Sequence, residues 1–225
     1  MTSPLPGPVG SGRAWALPTA LLGLCIVPVA AGVGRLIMLG TGAPVTPANA
    51  RFFAAPAPVA LHILGACVYA VGGALQFAAP LRRRRSFHRR AGRIVTLGGL
   101  ATAATGLWMT LFYPRAPGDT AALSVVRVLV GSAMLVGLVL GFRAIRRRDF
   151  QDHSAWMTRA YALGLGAGTQ ALLHLPWLAV GHPPRELGHT LLMVAGWAIN
   201  VAIAEVAVHR RRAPGTAPAG LVLER

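Results

Sequence analysis

Lysine is absent from these 225 residues, and all 22 basic side chains are arginine. Acidic residues are scarce as well, at six, so the formal net charge is +16. Cysteine occurs only at Cys25 and Cys67, each inside an apolar run, and there is no CxxC. That pattern suits two small buried hydrophobes better than a disulfide or a metal site. No HExxH, GxSxG or Walker loop is present, so no familiar hydrolase or nucleotide site can be read off the chain. Charged types reach only 12%, against about 25% in a usual soluble domain. The strong positive charge would suggest nucleic acid in a soluble protein. Here the arginines sit between apolar runs, which points instead to lipid headgroups and away from nucleic acid.

What the chain does have is hydrophobic length. Apolar types make up 54% and the mean hydropathy is +0.56. Runs of roughly 20 residues recur, each long enough to cross about 30 Å of hydrocarbon. They predict spans near Trp15–Leu39, Val59–Ala79, Ile94–Tyr113, Leu123–Phe142, Trp156–Val180 and Leu187–Val208. The expected fold is an all-α polytopic membrane bundle of six transmembrane helices. These occupy 14–209, after a disordered cytoplasmic N-terminus at 1–13 and before a cytoplasmic tail at 210–225. Val29-Ala30-Ala31-Gly32 resembles a signal-peptide cleavage region. The weak n-region, with only Arg13, and the long apolar stretch predict a retained span instead.

The stretch Leu81–Arg93, with seven arginines in 13 residues, separates the second and third runs and cannot enter hydrocarbon. With six spans, 17 of the 22 arginines fall on the side of the termini and the two basic loops. The positive-inside rule then predicts an inner (plasma) membrane protein with both termini cytoplasmic and anionic headgroups as partners at that face.

This topology sorts the histidines into two layers. His88, His153 and His209 lie at the cytoplasmic end, and His62, His174, His182 and His189 toward the outer face, with Arg127 and Gln170. Polar groups at membrane depth usually face a bundle interior or cavity. Two imidazoles on facing helices at one depth could hold a haem b. His62 with His174 or His189 would serve at the outer level, and His88 with His153 at the inner one. The alternative is that His62 and His174 are satisfied polar residues bonded to Gln170 or to backbone. At the inner end Arg93, Trp156 and Arg159 follow His88 and His153 at helix starts, where side chains can meet headgroups or an anion. Asp149 or Asp152 is placed either to orient His153 or to pair with an arginine of the first basic loop. Glu205 is the acidic residue well inside a span.

His62 with Gly72 to Gln76, the R-x-x-x-H-x-x-x-G-R run from Arg84 to Arg93, and His153-Ser-Ala-Trp-Met-Thr-Arg159 resemble the DUF2306 family of bacterial membrane proteins across roughly 55–180. The resemblance implies a polytopic helical membrane domain and no particular reaction. The layered histidines are also loosely similar to two-haem transmembrane cytochromes of the b561 type. The chain is thus read as an integral membrane protein with His/Arg clusters at both faces, its biochemical role undefined. The alternative is haem-based electron transfer. A third reading, transport, calls for broken helices or inverted repeats. The gapped Gly/Pro pattern of the first and fifth spans fits helix irregularity, though no repeat is visible.

Overall fold

The computed structural model describes residues 11–182 and 184–212, and every described regular element is helical. In order these are α1 (Ser11–Gly40), α2 (Ala50–Ala54), α3 (Pro56–Gln76), α4 (Ala79–Arg83) and α5 (Arg85–Phe112). They are followed by α6 (Ala121–Arg146), α7 (Phe150–Gly164), α8 (Gly166–Ala179) and α9 (Glu186–Arg212). Of the two expected tails, residues 1–10 and 213–225 lie outside the described residues, while Ser11 opens α1 and Arg212 closes α9.

Local chemistry places the helix ends. Pro56 starts α3 at a position where its missing N–H costs nothing. Thr120 caps α6 by accepting from Leu123 N, and Asp149 caps α7 by accepting from Asp152 N. Between α6 and α7, Arg148 adopts a left-handed φ of 62°, and Asp149 N donates back to Ala144 O. This C-terminal cap turns the chain sharply into α7.

The surface is inverted relative to a soluble protein. Leu61, Leu64, Val68 and Val71 form an exposed stripe along α3, while Val59, Ile63, Tyr69 and Ala74 point inward. Comparable exposed apolar residues run along α1, α5, α6 and α9. Exteriors this apolar are stable in contact with lipid. Inside, small residues let backbones approach. The core centres on Tyr69 and Tyr161, packed edge to face at 5.6 Å, with Cys25, Leu138, Met134 and Leu165 around them. Gly99 of α5 and Gly164 of α7 form the slot for the Tyr69 ring, since a Cβ at either would come within 2.6 Å of it. The most extensive packing is α3 on α5, then α6 on α7.

The six-span expectation is corrected to five. Among the described residues, the helices long and apolar enough to cross a membrane are Ala14–Gly40, Pro56–Gln76, Arg85–Phe112, Ala121–Arg146 and Glu186–Arg212. The run read as a fifth span is instead two shorter helices, α7 and α8, broken at Leu165 between Gly164 and Gly166. At 15 and 14 residues, each is only about 21–23 Å long, short of the hydrocarbon thickness. Two glycines flanking one residue remove the side-chain packing that would hold a continuous ladder there. Asn200 of α9 splints the break, donating from Nδ2 to Ala162 O (3.1 Å) and accepting at Oδ1 from Thr169 (2.7 Å). Asn200→Leu is expected to cost about 1–2 kcal/mol, two interhelical hydrogen bonds at membrane values. An unfolding titration with SDS in mixed micelles would register it.

Candidate functional site

The polar side chains gather at the two ends of the bundle. At one end, the turn before α6 passes through Gly118 (φ +84°), which sets Asp119 next to the cap residue Thr120. Asp119 is only 6% exposed, and both its oxygens are engaged by Arg127, two turns along α6. Its Oδ1 also lies 3.4 Å from His189 Nε2 on α9. His189 Nδ1 meets His174 Nε2 of α8 at 3.1 Å, and His174 Nδ1 meets Gln170 O at 2.7 Å. Gln170 is itself buried, its Nε2 donating to Met193 O. Thr120 and Thr190 share a hydrogen bond at 2.9 Å, tying α6 to α9 beside the histidines. A polar chain therefore runs from Gln170 through His174, His189 and Asp119 to Arg127 across three helices.

The hydrogen-bond partners constrain where protons can sit along this chain. A carbonyl oxygen only accepts, so His174 carries a proton on Nδ1. If both rings were neutral, His189 would donate from Nδ1 to His174 Nε2, and its bare Nε2 would then face the Asp119 carboxylate. Two lone pairs would oppose each other there. One further proton, placed on either ring, removes the conflict and gives each facing pair of atoms a single hydrogen.

Next to this cluster, Phe52 of α2 carries two guanidiniums. The Cζ atoms of Arg35 and Arg51 each lie 4.7 Å from its ring centroid. Arg51 also donates to Pro114 O at 3.3 Å, and its partial burial pushes the guanidinium below its ordinary value. The two cations are thus at most twice 4.7 Å apart, a repulsion of about 2 kcal/mol at an effective dielectric of about 20. Cation–π attraction of about 0.5–2 kcal/mol for each offsets that cost. Tyr113 closes the patch, edge-on to Phe52 and donating to Ala55 O, and burial keeps its phenol protonated.

At the opposite end, His153 Nδ1 bonds Gly141 O at 2.8 Å. Asp149 is spent on the cap and Asp152 pairs with Arg212, so neither orients His153. His88 stands within electrostatic reach of His153 and Arg82, and its buried Nδ1 has no hydrogen-bond partner among the described residues. Arg159, expected to meet headgroups, instead forms a two-pronged pair with Glu205 (2.6 and 2.8 Å) and lies over Trp156 at 5.1 Å. Arg93 is exposed.

The structure brings His174 and His189 together and places His88 near His153. It leaves His62 elsewhere, its Nδ1 on Thr102 O (3.0 Å) and Thr105 Oγ1 (3.2 Å) of α5. Both His62 and His174 therefore bond to backbone, as the plainer expectation had it. An iron between two imidazoles needs both facing nitrogens free to ligate. Those of His174 and His189 are bonded to each other, so the outer cluster as it stands does not fit a haem. No group of three or more His, Cys, Asp or Glu with metal-holding geometry occurs among the described residues. Sequence reasoning missed Asp119, although Arg127 already called for a counterion and Asp119 is the carboxylate of the adjoining loop.

Five long apolar helices, a lipid-facing exterior and charged ends define a multi-pass integral membrane protein in contact with lipid. The chain belongs to the family described as "Predicted membrane protein (DUF2306)", which matches residues 59–208. Comparison with curated proteins and with solved structures gave no match. The looser similarity to b561-type cytochromes finds no support in these comparisons.

Proposed function

We propose that the protein conducts protons through the membrane and that its proton site is the His174–His189 pair. The observation that carries this reading is the polar chain from Gln170 O to Arg127, in which the facing histidines lie within ion-pair distance of Asp119 and a proton on His189 Nε2 would complete it. Such a pair can take a proton at one ring and release it from the other. The break at Leu165 adds support. Discontinuous helices lined with polar side chains are the usual setting of transport sites, and Thr169, Gln170 and Asn200 lie at or beside this one. His88, beside His153 and with a buried nitrogen unpartnered among the described residues, offers a second protonatable station at the far end.

In this reading the protein sits in the inner membrane with its arginine-rich end in the cytoplasm. Arginines 82–85, 143, 146–148 and 210–212 cluster at the α4–α5 start, the α6–α7 turn and the end of α9, as the positive-inside rule prefers. α1 runs away from that end, since Arg35 near its close reaches Phe52. Because α7 and α8 together carry the chain from the arginine-rich end, at His153, to the outer cluster, at His174, both termini then lie on the cytoplasmic side, and anionic headgroups meet the exposed arginines there.

The test uses proteoliposomes loaded with a pH-sensitive dye and given an inside-negative potassium diffusion potential. Wild-type protein should acidify the lumen faster than empty vesicles, and His174→Ala and His189→Ala should each remove most of that rate. His182→Ala, on the neighbouring loop, should leave it intact. Proton entry no faster than in empty vesicles, or equal in all variants, would refute the proposal.

A further inference from the structure

We infer that Arg35 and Arg51, held on Phe52 beside the outer cluster, form a binding site for a phosphate-type oxyanion. The inference goes beyond the proton reading and does not depend on it. Each guanidinium has five N–H donors in a planar fork. Among the described contacts Arg51 spends one on Pro114 O, and Arg35 makes only a weak one at 3.6 Å to Met38 Sδ. Neither pairs with a carboxylate among the described residues. Asp119, the carboxylate within electrostatic reach of Arg51, already has both oxygens on Arg127.

The protein therefore fixes two half-buried cations on one ring, leaves most of their donors unspent among the described contacts and places a third, Arg127, within electrostatic reach of Arg51. Stacking on Phe52 orients the guanidinium planes and so lowers the ordering cost of gripping a ligand. A tetrahedral oxyanion presents several acceptor oxygens, which two forks can engage together. This chemistry belongs equally to a phospholipid headgroup at this interface and to soluble phosphate.

Two measurements on the full chain separate the sources. Protein in nanodiscs of zwitterionic lipid is titrated with inorganic phosphate by calorimetry. Protein purified from membranes is analysed by native mass spectrometry for retained phospholipid of any headgroup. Arg35→Gln and Arg51→Gln are compared with wild type, with Arg51→Lys as a variant that keeps the charge but not the fork. A soluble ligand gives saturable phosphate binding that weakens about ten- to hundredfold in either glutamine variant, the loss expected for one charge-assisted hydrogen bond, and less in Arg51→Lys. A headgroup ligand gives one retained phospholipid fewer in each glutamine variant than in wild type, with no difference in phosphate titration. Equal phosphate binding and equal lipid retention across wild type, Arg35→Gln and Arg51→Gln would overturn the inference, whatever their proton entry.

Discussion

Asp119→Ala is expected to lower stability by about 2–4 kcal/mol and to abolish proton entry in the vesicle assay. The Asp119 side chain is 6% exposed and faces two partners, the Arg127 guanidinium and the His189 imidazole. Removing one member of a buried pair typically costs about 3–5 kcal/mol, and the figure is trimmed because Arg127 keeps 30% exposure. The damage comes from the charge left behind more than from the bond lost. Hence Asp119→Ala/Arg127→Leu should recover part of the stability while proton entry stays absent. SDS unfolding midpoints and the dye assay read the two effects separately. An alanine variant as stable as wild type would mean that Asp119 does not neutralise this cluster.

Gly65→Leu is expected to do more harm, costing about 3 kcal/mol or more, in the range of severe overpacking. A Cβ at Gly65 would lie 2.9 Å from Gly98 O and 3.0 Å from Thr102 Oγ1, and one at Gly98 would lie 3.1 Å from Gly65 O. The backbones of α3 and α5 touch here, and neither can yield as a flexible side chain would. A leucine must push apart the most extensive interface of the bundle, and His62 would be drawn from Thr102 O as well. Gly23→Leu makes the matching control, because a Cβ there meets nothing within 4 Å. Folded yield by fluorescence-detected size exclusion should collapse for the first and hold for the second. Equal yields would show that the α3–α5 contact tolerates separation.

Much of the fold follows from hydropathy alone. Twenty-residue apolar runs and arginine-rich connectors have little choice in a bilayer, and α1, α3, α5, α6 and α9 correspond to five of the six expected runs. The remaining run failed as a span for a reason that hydropathy cannot see. Composition stays apolar through Leu165, while Gly164 and Gly166 let the helix break and Asn200, 35 positions later, holds it broken. The outer site was half legible. His174, His189, Arg127 and Gln170 stood out as polar residues at membrane depth, but their pairing depends on how α8 and α9 rotate. His62 shared their depth and faces α5 instead. Asp119 stayed hidden because a carboxylate in a short loop looks solvated until the loop folds over it.

The splint at Asn200 has a mechanical consequence. One side chain grips both sides of the break, so α8 cannot swing about Leu165 without losing Asn200 from either Ala162 or Thr169, and the Thr169 bond ties it to α9. His174 and His189 are therefore passengers on one rigid arm, whereas Asp119 and Arg127 ride on α6. The shared Thr120–Thr190 bond is the fulcrum between arm and post. A tilt of a fraction of an ångström about it would fall on the 3.4 Å link between His189 and Asp119, the longest in the chain. Any lean of the arm away from the post would therefore be felt first at that link, before the shorter bonds on either side of it.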